Sequence, residues 1–294
     1  MTARIRDFTD DDIDWAAGFM RDWDPGLPLE AWRRIMTGEA APIRRAIVVE
    51  VGGGRVGLGG VNDPEGLPYP AIVVVVDAGH RGQGIGAAMY AELLPLVAQA
   101  DAGAGMPDHD EHSLAIAGHW GFEVLGHGID SVLDLEVRPP DPVLPDGVEV
   151  RIVAGADVAA SGLDVDAFLA QVGDYPEAEI YGTQTTNAIL LQMSPDLVWL
   201  LLVDAEGIVA GSSLMPTGEG PWFIGFTGSA PRTRGRGLAR AAKQAAHRYA
   251  FDSGARAIRT TNEERNERMR ALNASMGYAK VSGDLRLIRR VNSR

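Results

Sequence analysis

The 294 residues include no cysteine. Disulfides, thiolate metal centres and a cysteine nucleophile are therefore excluded. No apolar stretch approaches the roughly 18–20 residues needed to cross a bilayer, and the first residues, with Asp7, Asp10, Asp11 and Asp12, show no signal-peptide pattern. A cytoplasmic protein with no membrane partner is expected. Basic residues are scarce, 27 Lys and Arg against 40 Asp and Glu for a net charge of −13, which argues against nucleic acid as a partner and leaves a cationic small molecule open. There is no Gly-Lys-Ser/Thr ending to a phosphate loop, no dinucleotide fingerprint and no Gly-x-Ser-x-Gly elbow, so nucleotide hydrolysis and serine hydrolysis are not expected.

What is present is a sequence that repeats itself. Arg81-Gly82-Gln83-Gly84-Ile85-Gly86 returns as Arg234-Gly235-Arg236-Gly237-Leu238-Ala239, each time after an apolar run and before an Ala-rich helical pattern. A strand-to-helix turn of this kind holds an anion on free backbone N–H groups. Upstream of each copy, two short apolar runs joined by a glycine turn signal a β-hairpin, at 46–51 with 55–61 and at 198–203 with 208–215. Downstream, Trp120-Gly121-Phe122 matches Met276-Gly277-Tyr278. The Pro-rich stretch 139–147 reads as a linker between a domain at 1–138 and another at 148–294. At 46% hydrophobic residues, the chain can bury a core in each half.

Around the second turn, Arg232, Arg234, Arg236, Arg240 and Lys243 form a local basic group suited to a pyrophosphate. The spacings Arg81-x-x-Gly84-x-Gly86 and Arg234-x-x-Gly237-x-Ala239 resemble the acyl-CoA motif of the GNAT N-acetyltransferase superfamily. Thr227-Gly228-Ser229-Ala230-Pro231 resembles the end of that family's fourth strand, and Asn266 through Met276-Gly277-Tyr278 its second cofactor-side motif. The chain is thus similar to tandem GNAT proteins. The resemblance implies two α/β domains, each a mixed, mostly antiparallel twisted sheet flanked by helices. It also implies that acetyl-CoA is the co-substrate. Its pyrophosphate would lie on the amides of Gly82, Gln83, Gly84, Ile85, Gly86 and Ala87, and of Gly235, Arg236, Gly237, Leu238, Ala239 and Arg240, beside Arg81 and Arg234. Its pantetheine would lie along Val74, Val75 and Val76 and along Thr227, Gly228 and Ser229. Asn266 is either a contact to that arm or a helix N-cap.

The family's acid is a tyrosine seven residues after the motif asparagine. Here that place holds Asn273, and its counterpart in the first half is Ala117. Asn273 is either a water-orienting group or a polar residue facing solvent. Glu263 and Glu264, with Glu219 and Asp77 as further options, are candidate bases. Asp166, Asp174, Tyr175 and Tyr181, with Trp15, Asp22 and Trp23 in the first half, are either groups that recognise a cationic amine or ordinary core packing and surface charge. Met269, Leu272 and Met276 read as packing. No metal site is expected, because the acidic and histidine residues at 108–112 read as a helix start. Pro95 cuts the first phosphate helix short. The most direct reading is acetyl-CoA-dependent N-acetylation of a small-molecule amine, mainly in the second half. The alternative is a non-catalytic acyl-CoA-binding sensor or scaffold. Oligomeric state is not readable from the sequence.

Overall fold

The computed structural model describes residues 3–23, 29–39, 41–64, 67–181, 186–217 and 220–291. It divides into two compact units, residues 1–127 with 284–294, and residues 128–283. The segment 139–147 lies inside the second unit's range.

The first unit runs β1 (Arg4–Asp7), α1 (Ile13–Trp23), α2 (Leu29–Met36), β2 (Ile43–Val51), β3 (Gly54–Asn62), β4 (Ala71–Val76), α3 (Ile85–Leu93), β5 (Ala102–Pro107) and α4 (Glu111–His119), and β6 (Glu123–Asp134) starts from it. The second runs β7 (Glu149–Ala154), α5 (Val165–Gln171), α6 (Pro176–Tyr181), α7 (Asn187–Met193), β8 (Val198–Asp204), β9 (Gly207–Met215), β10 (Trp222–Ser229), α8 (Leu238–Asp252), β11 (Ala257–Glu263) and α9 (Glu267–Ser275), and β12 (Ala279–Arg289) starts from it. Both hairpins form as expected, β2 with β3 and β8 with β9. Helix α3 stops at Leu93, where Leu94–Leu96 tightens around Pro95, whereas α8 continues to Asp252.

Each sheet is completed by a strand from the opposite half of the sequence. In the first unit β5 pairs antiparallel with the end of β12, from Asp284↔Pro107 to Arg289↔Ala102. In the second, β11 pairs antiparallel with the end of β6, from Ala257↔Asp134 to Glu263↔Gly128. The first unit is ordered β1-β2-β3-β4-β5-β12 and the second β6-β11-β10-β9-β8-β7.

Both faces of each sheet are covered, which is why its central strands are continuously apolar rather than alternating. In β2, Ile47 and Val49 join Met89 and Leu93 of α3 in one core, while Val48 joins Ala16, Ala17 and Met20 of α1 in another. In β8, Leu200 packs with Ala246 and Ala250 of α8, while Trp199 and Leu201 pack with Phe168 and Leu169 of α5.

The two units divide volume differently between strand and the helix that follows the glycine turn. In the first, a Cβ on Gly59 would meet Met89 Cε at 2.9 Å and Leu93 Cδ1 at 3.0 Å, so glycine makes room for large helix residues. At the repeat-related positions of the second, Ser212 faces the α8 side with Ala242 and Ala246, all fully buried. Gly59→Ala is therefore expected to destabilise the first unit by about 1–2 kcal/mol through overpacking. Added to Met89→Ala it should cost less than it does alone. Chemical denaturation of the single and double variants measures this, and strict additivity would contradict the packing assignment.

Candidate active site

The site in each unit begins where two parallel neighbours part. β10 and β11 pair only at Trp222↔Ile258, Phe223↔Arg259 and Ile224↔Thr260. Past that point β10 stays with β9 as far as Ser229↔Ala210, after an irregularity between Ile224 and Phe226, while β11 stays with β6. The facing edges at 226–229 and 261–263 therefore lack a mutual ladder. Thr227, Gly228 and Ser229 occupy one of them, and the Thr227 hydroxyl lies 3.0 Å from Ser212 Oγ. In the first unit, β4 and β5 pair at Ala71↔Gly103 alone. Between them opens a cavity of about 390 Å³ whose lining includes Val74, Val75, Val76, Met106, Tyr90 and Trp120. Tyr90 and Trp120 stack there with ring centroids 4.1 Å apart.

Both glycine turns have the same backbone. Gly82 and Gly84 have φ of 74° and 79°, and Gly235 and Gly237 of 74° and 76°, a left-handed conformation that glycine adopts without strain. Gly84 and Gly237 are the N-caps of α3 and α8, with no side chain on the first helical amides. Those amides stay available to an anion, with the helix dipole behind them. Gly82, Gln83, Ile85, Gly86 and Ala87 complete one turn, and Arg236, Leu238, Ala239 and Arg240 the other.

The basic group at the second turn is largely neutralised within the protein. Arg234 forms a two-point pair with Asp174 at 2.6 Å, and Arg232 another with Asp204 at 2.9 Å. Hydrogen bonds from these arginines hold both carboxyls below the usual range, Asp204 at about 2. Arg240 donates to Ser275 Oγ. Arg236 is exposed at the turn. Lys243 does not belong to the group at all, being only 1% exposed in the interior. In the first unit Arg81 Nε donates to the carbonyl of Val76, and Asp110 lies 3.7 Å from its guanidinium.

The residues considered for catalysis have different fates. Glu263 is buried at the end of β11, whereas Glu264 is exposed. Asn266 caps α9, accepting from Met269 N–H, and its amide donates to Glu177 Oε2. Glu177, on α6, also accepts from the backbone N–H of Glu263. It thus brings a carboxylate to the cleft that the sequence did not single out, since nothing in the pattern of 176–181 distinguishes it from a solvated helix charge. Tyr175 meets Phe226 edge-on, and Asp166 accepts from Asn187 N–H. Trp15 stacks on Phe19, Trp23 lines the first-unit cavity, and Asp22 is exposed. Asp77 accepts from Gly79 N–H beside His80. Glu219 and the Tyr181 side chain lie outside the described residues. In the stretch 108–112, Asp110 caps α4 and Asp108 pairs with His127 at 3.1 Å. Among the described residues no group of three carboxylates or histidines is placed to hold a metal ion.

Asn273 does not face solvent. It is the buried residue of α9, while Met269, Leu272 and Met276, expected to carry the packing, are half-buried. Its Oδ1 accepts from Lys243 Nζ at 2.6 Å and its Nδ2 donates to Asn262 Oδ1 at 2.7 Å. Lys243 Nζ also lies 4.8 Å from the Tyr278 ring centroid, and the Tyr278 hydroxyl is 2.8 Å from His247 Nε2. Burial lowers Lys243 to about 7 and raises Tyr278 above the ordinary phenol range. His247, buried beside Lys243, is lowered to about 3.

Residues 166–278 match the acetyltransferase (GNAT) family. The matched residues lie within the second unit. No curated relative matches the chain. Among solved structures, a tandem GNAT protein from the clavulanic acid biosynthesis pathway is 19% identical, with TM-score 0.75 over 98% of both chains. A GCN5-related N-acetyltransferase from Sphaerobacter thermophilus is 20% identical, with TM-score 0.70 over 98% of this chain and 95% of that one. The glucosamine N-acetyltransferase region of a fungal β-N-acetylglucosaminidase gives 17% and 0.68, over 97% of this chain and 38% of the other. The likeness of fold to the tandem GNAT structure thus covers 98% of the chain.

The buried lysine has a consequence for stability. The unfolded chain binds a proton at Lys243 below about pH 10.5, whereas the folded chain refuses it down to about 7. The penalty is therefore full below pH 7 and fades as pH rises toward 10.5. Lys243→Met is expected to stabilise the protein at pH 6–7 by on the order of 3 kcal/mol, and the gain should shrink as pH rises. Denaturation at a series of pH values checks this, and a pH-independent difference would contradict the assignment.

Proposed function

We propose that the protein is an acetyl-CoA-dependent N-acetyltransferase that acetylates the amine of a small molecule, with turnover mainly in the second unit. The observation that carries this reading is the parting of β10 from β11 directly before the two-glycine turn at the N-terminus of α8. The unladdered edge at 226–229 suits the amide-bearing arm of pantetheine, and the turn suits its pyrophosphate. The paired Arg234 would contribute to phosphate binding only by exchanging Asp174 for the ligand, since its charge is already committed. An incoming amine attacks the thioester carbonyl, the C–N bond forms, the C–S bond breaks, and the electron pair leaves on sulfur. Glu263, at the end of β11, and Glu177, which reaches it from α6, are the carboxylates assigned to take the amine's proton.

The first unit is read differently. Its apolar cavity and Ala117 offer a binding site with no polar group at the position Asn273 holds, which favours acyl-CoA binding there without turnover. If the second unit behaved likewise, the whole chain would be a sensor or scaffold.

The comparison that separates these readings uses Gly84→Val and Gly237→Val in the intact chain. Each places a β-branched residue at a left-handed position, so melting curves accompany the assay. With a panel of amines, Gly237→Val should lose CoA release by roughly 100-fold or more, and Gly84→Val by less than about tenfold. Saturable acetyl-CoA binding without release by the unaltered protein would establish the sensor instead.

A further inference from the structure

At four repeat-related positions, the first unit carries apolar or aromatic residues and the second carries a connected polar set. Nine residues after the motif arginine stand Tyr90 and Lys243, and thirteen after it Leu94 and His247. Four residues before the Gly-aromatic pair stand Ala117 and Asn273, and the aromatic itself is Phe122 or Tyr278. Tyr90, Ala117 and Phe122 line the first-unit cavity, and Lys243, Asn273 and Tyr278 occupy the repeat-related positions of the second unit. Lys243, Asn273, His247 and Tyr278 are each more than nine-tenths buried. A single one of these exchanges would leave a buried polar group unsatisfied, whereas together they satisfy one another.

The chain of bonds has a direction. Lys243 donates to Asn273 Oδ1, which fixes the amide's orientation and polarises its N–H groups. An amide nitrogen carries two N–H donors, and Asn262 takes one.

We infer that the second N–H of Asn273 stabilises the departing CoA thiolate in the second unit, and that Lys243 is the positioning residue that orients and polarises that amide. The inference rests on acyl-CoA occupying the second cleft. No proton needs to move in this step: the C–S electron pair stays on sulfur, held by a hydrogen bond, and the thiolate is protonated after release. Lys243 suits the task because its stem is held by burial and its head by Asn273 and the face of Tyr278, in a site where a donor dipole is little screened.

The test uses CoA and desulfo-CoA and needs no acceptor amine. In the unaltered protein, one bound CoA thiol should titrate about one unit or more below free CoA, followed by ultraviolet absorbance of the thiolate. Lys243→Met and Asn273→Ala should each abolish that shift while leaving desulfo-CoA affinity within about twofold, and the double variant should be no worse than either alone. In turnover, each should lower kcat roughly tenfold or more with little change in KM for acetyl-CoA. A thiol titration unaltered by Lys243→Met, in a protein that binds and melts normally, would overturn this inference alone. Failure of the second unit to bind CoA would overturn the functional reading with it.

Discussion

The parting of two parallel strands is the constraint on which each unit is organised. A sheet normally exhausts its backbone donors and acceptors in its own ladders, and a buried edge that does not is costly. β10 and β11 meet for three residue pairs, β4 and β5 for one, and each pair then separates beside a helix N-terminus. The antiparallel neighbours hold the parted strands from outside, β9 against β10 and β6 against β11. The opening is thereby a fixed feature of the sheet rather than a frayed end. The left-handed glycines complete it by ending in N-caps that leave the first amides of α3 and α8 without a side-chain partner.

Within this shared frame the two units have diverged by compensated changes. Glycine on β3 admits Met89 and Leu93, whereas small helix residues on α8 admit Ser212 on β9. The Tyr90–Trp120 stack walls an apolar cavity, whereas Lys243, Asn273 and Tyr278 make the corresponding interior polar. Each arrangement is internally satisfied, and exchanging single members between them would leave either a steric conflict or an unpaired buried group. The proposed division into a binding half and a reacting half would be the functional counterpart of that divergence.

The elements themselves were legible in the sequence wherever local signals were strong. The hairpins, the paired glycine turns, the shortening of α3 at Pro95 and the capping Asn266 all follow from spacing and turn chemistry. The exchange of β6 and β12 was not legible, because a strand's own residues do not say which edge it will join. Charge was misleading for a related reason. Arg232, Arg234 and Lys243 lie close in sequence to the turn, but Asp204 and Asp174, distant in sequence, neutralise the first two, and helix phase turns the third inward. Asn273 sits on the buried face of α9 between half-buried apolar neighbours, and only the position of Lys243 on α8 explains why an amide belongs there. Glu177 reaches the end of β11 from α6, a contact between residues 86 positions apart.

Hydrogen exchange with and without acetyl-CoA reads the parted strands and the turns amide by amide. Slowed exchange is expected at residues 226–229 and 235–240 when acetyl-CoA is added, with β8 and β9 unchanged. Uniform exchange at these segments with saturating acetyl-CoA would contradict it.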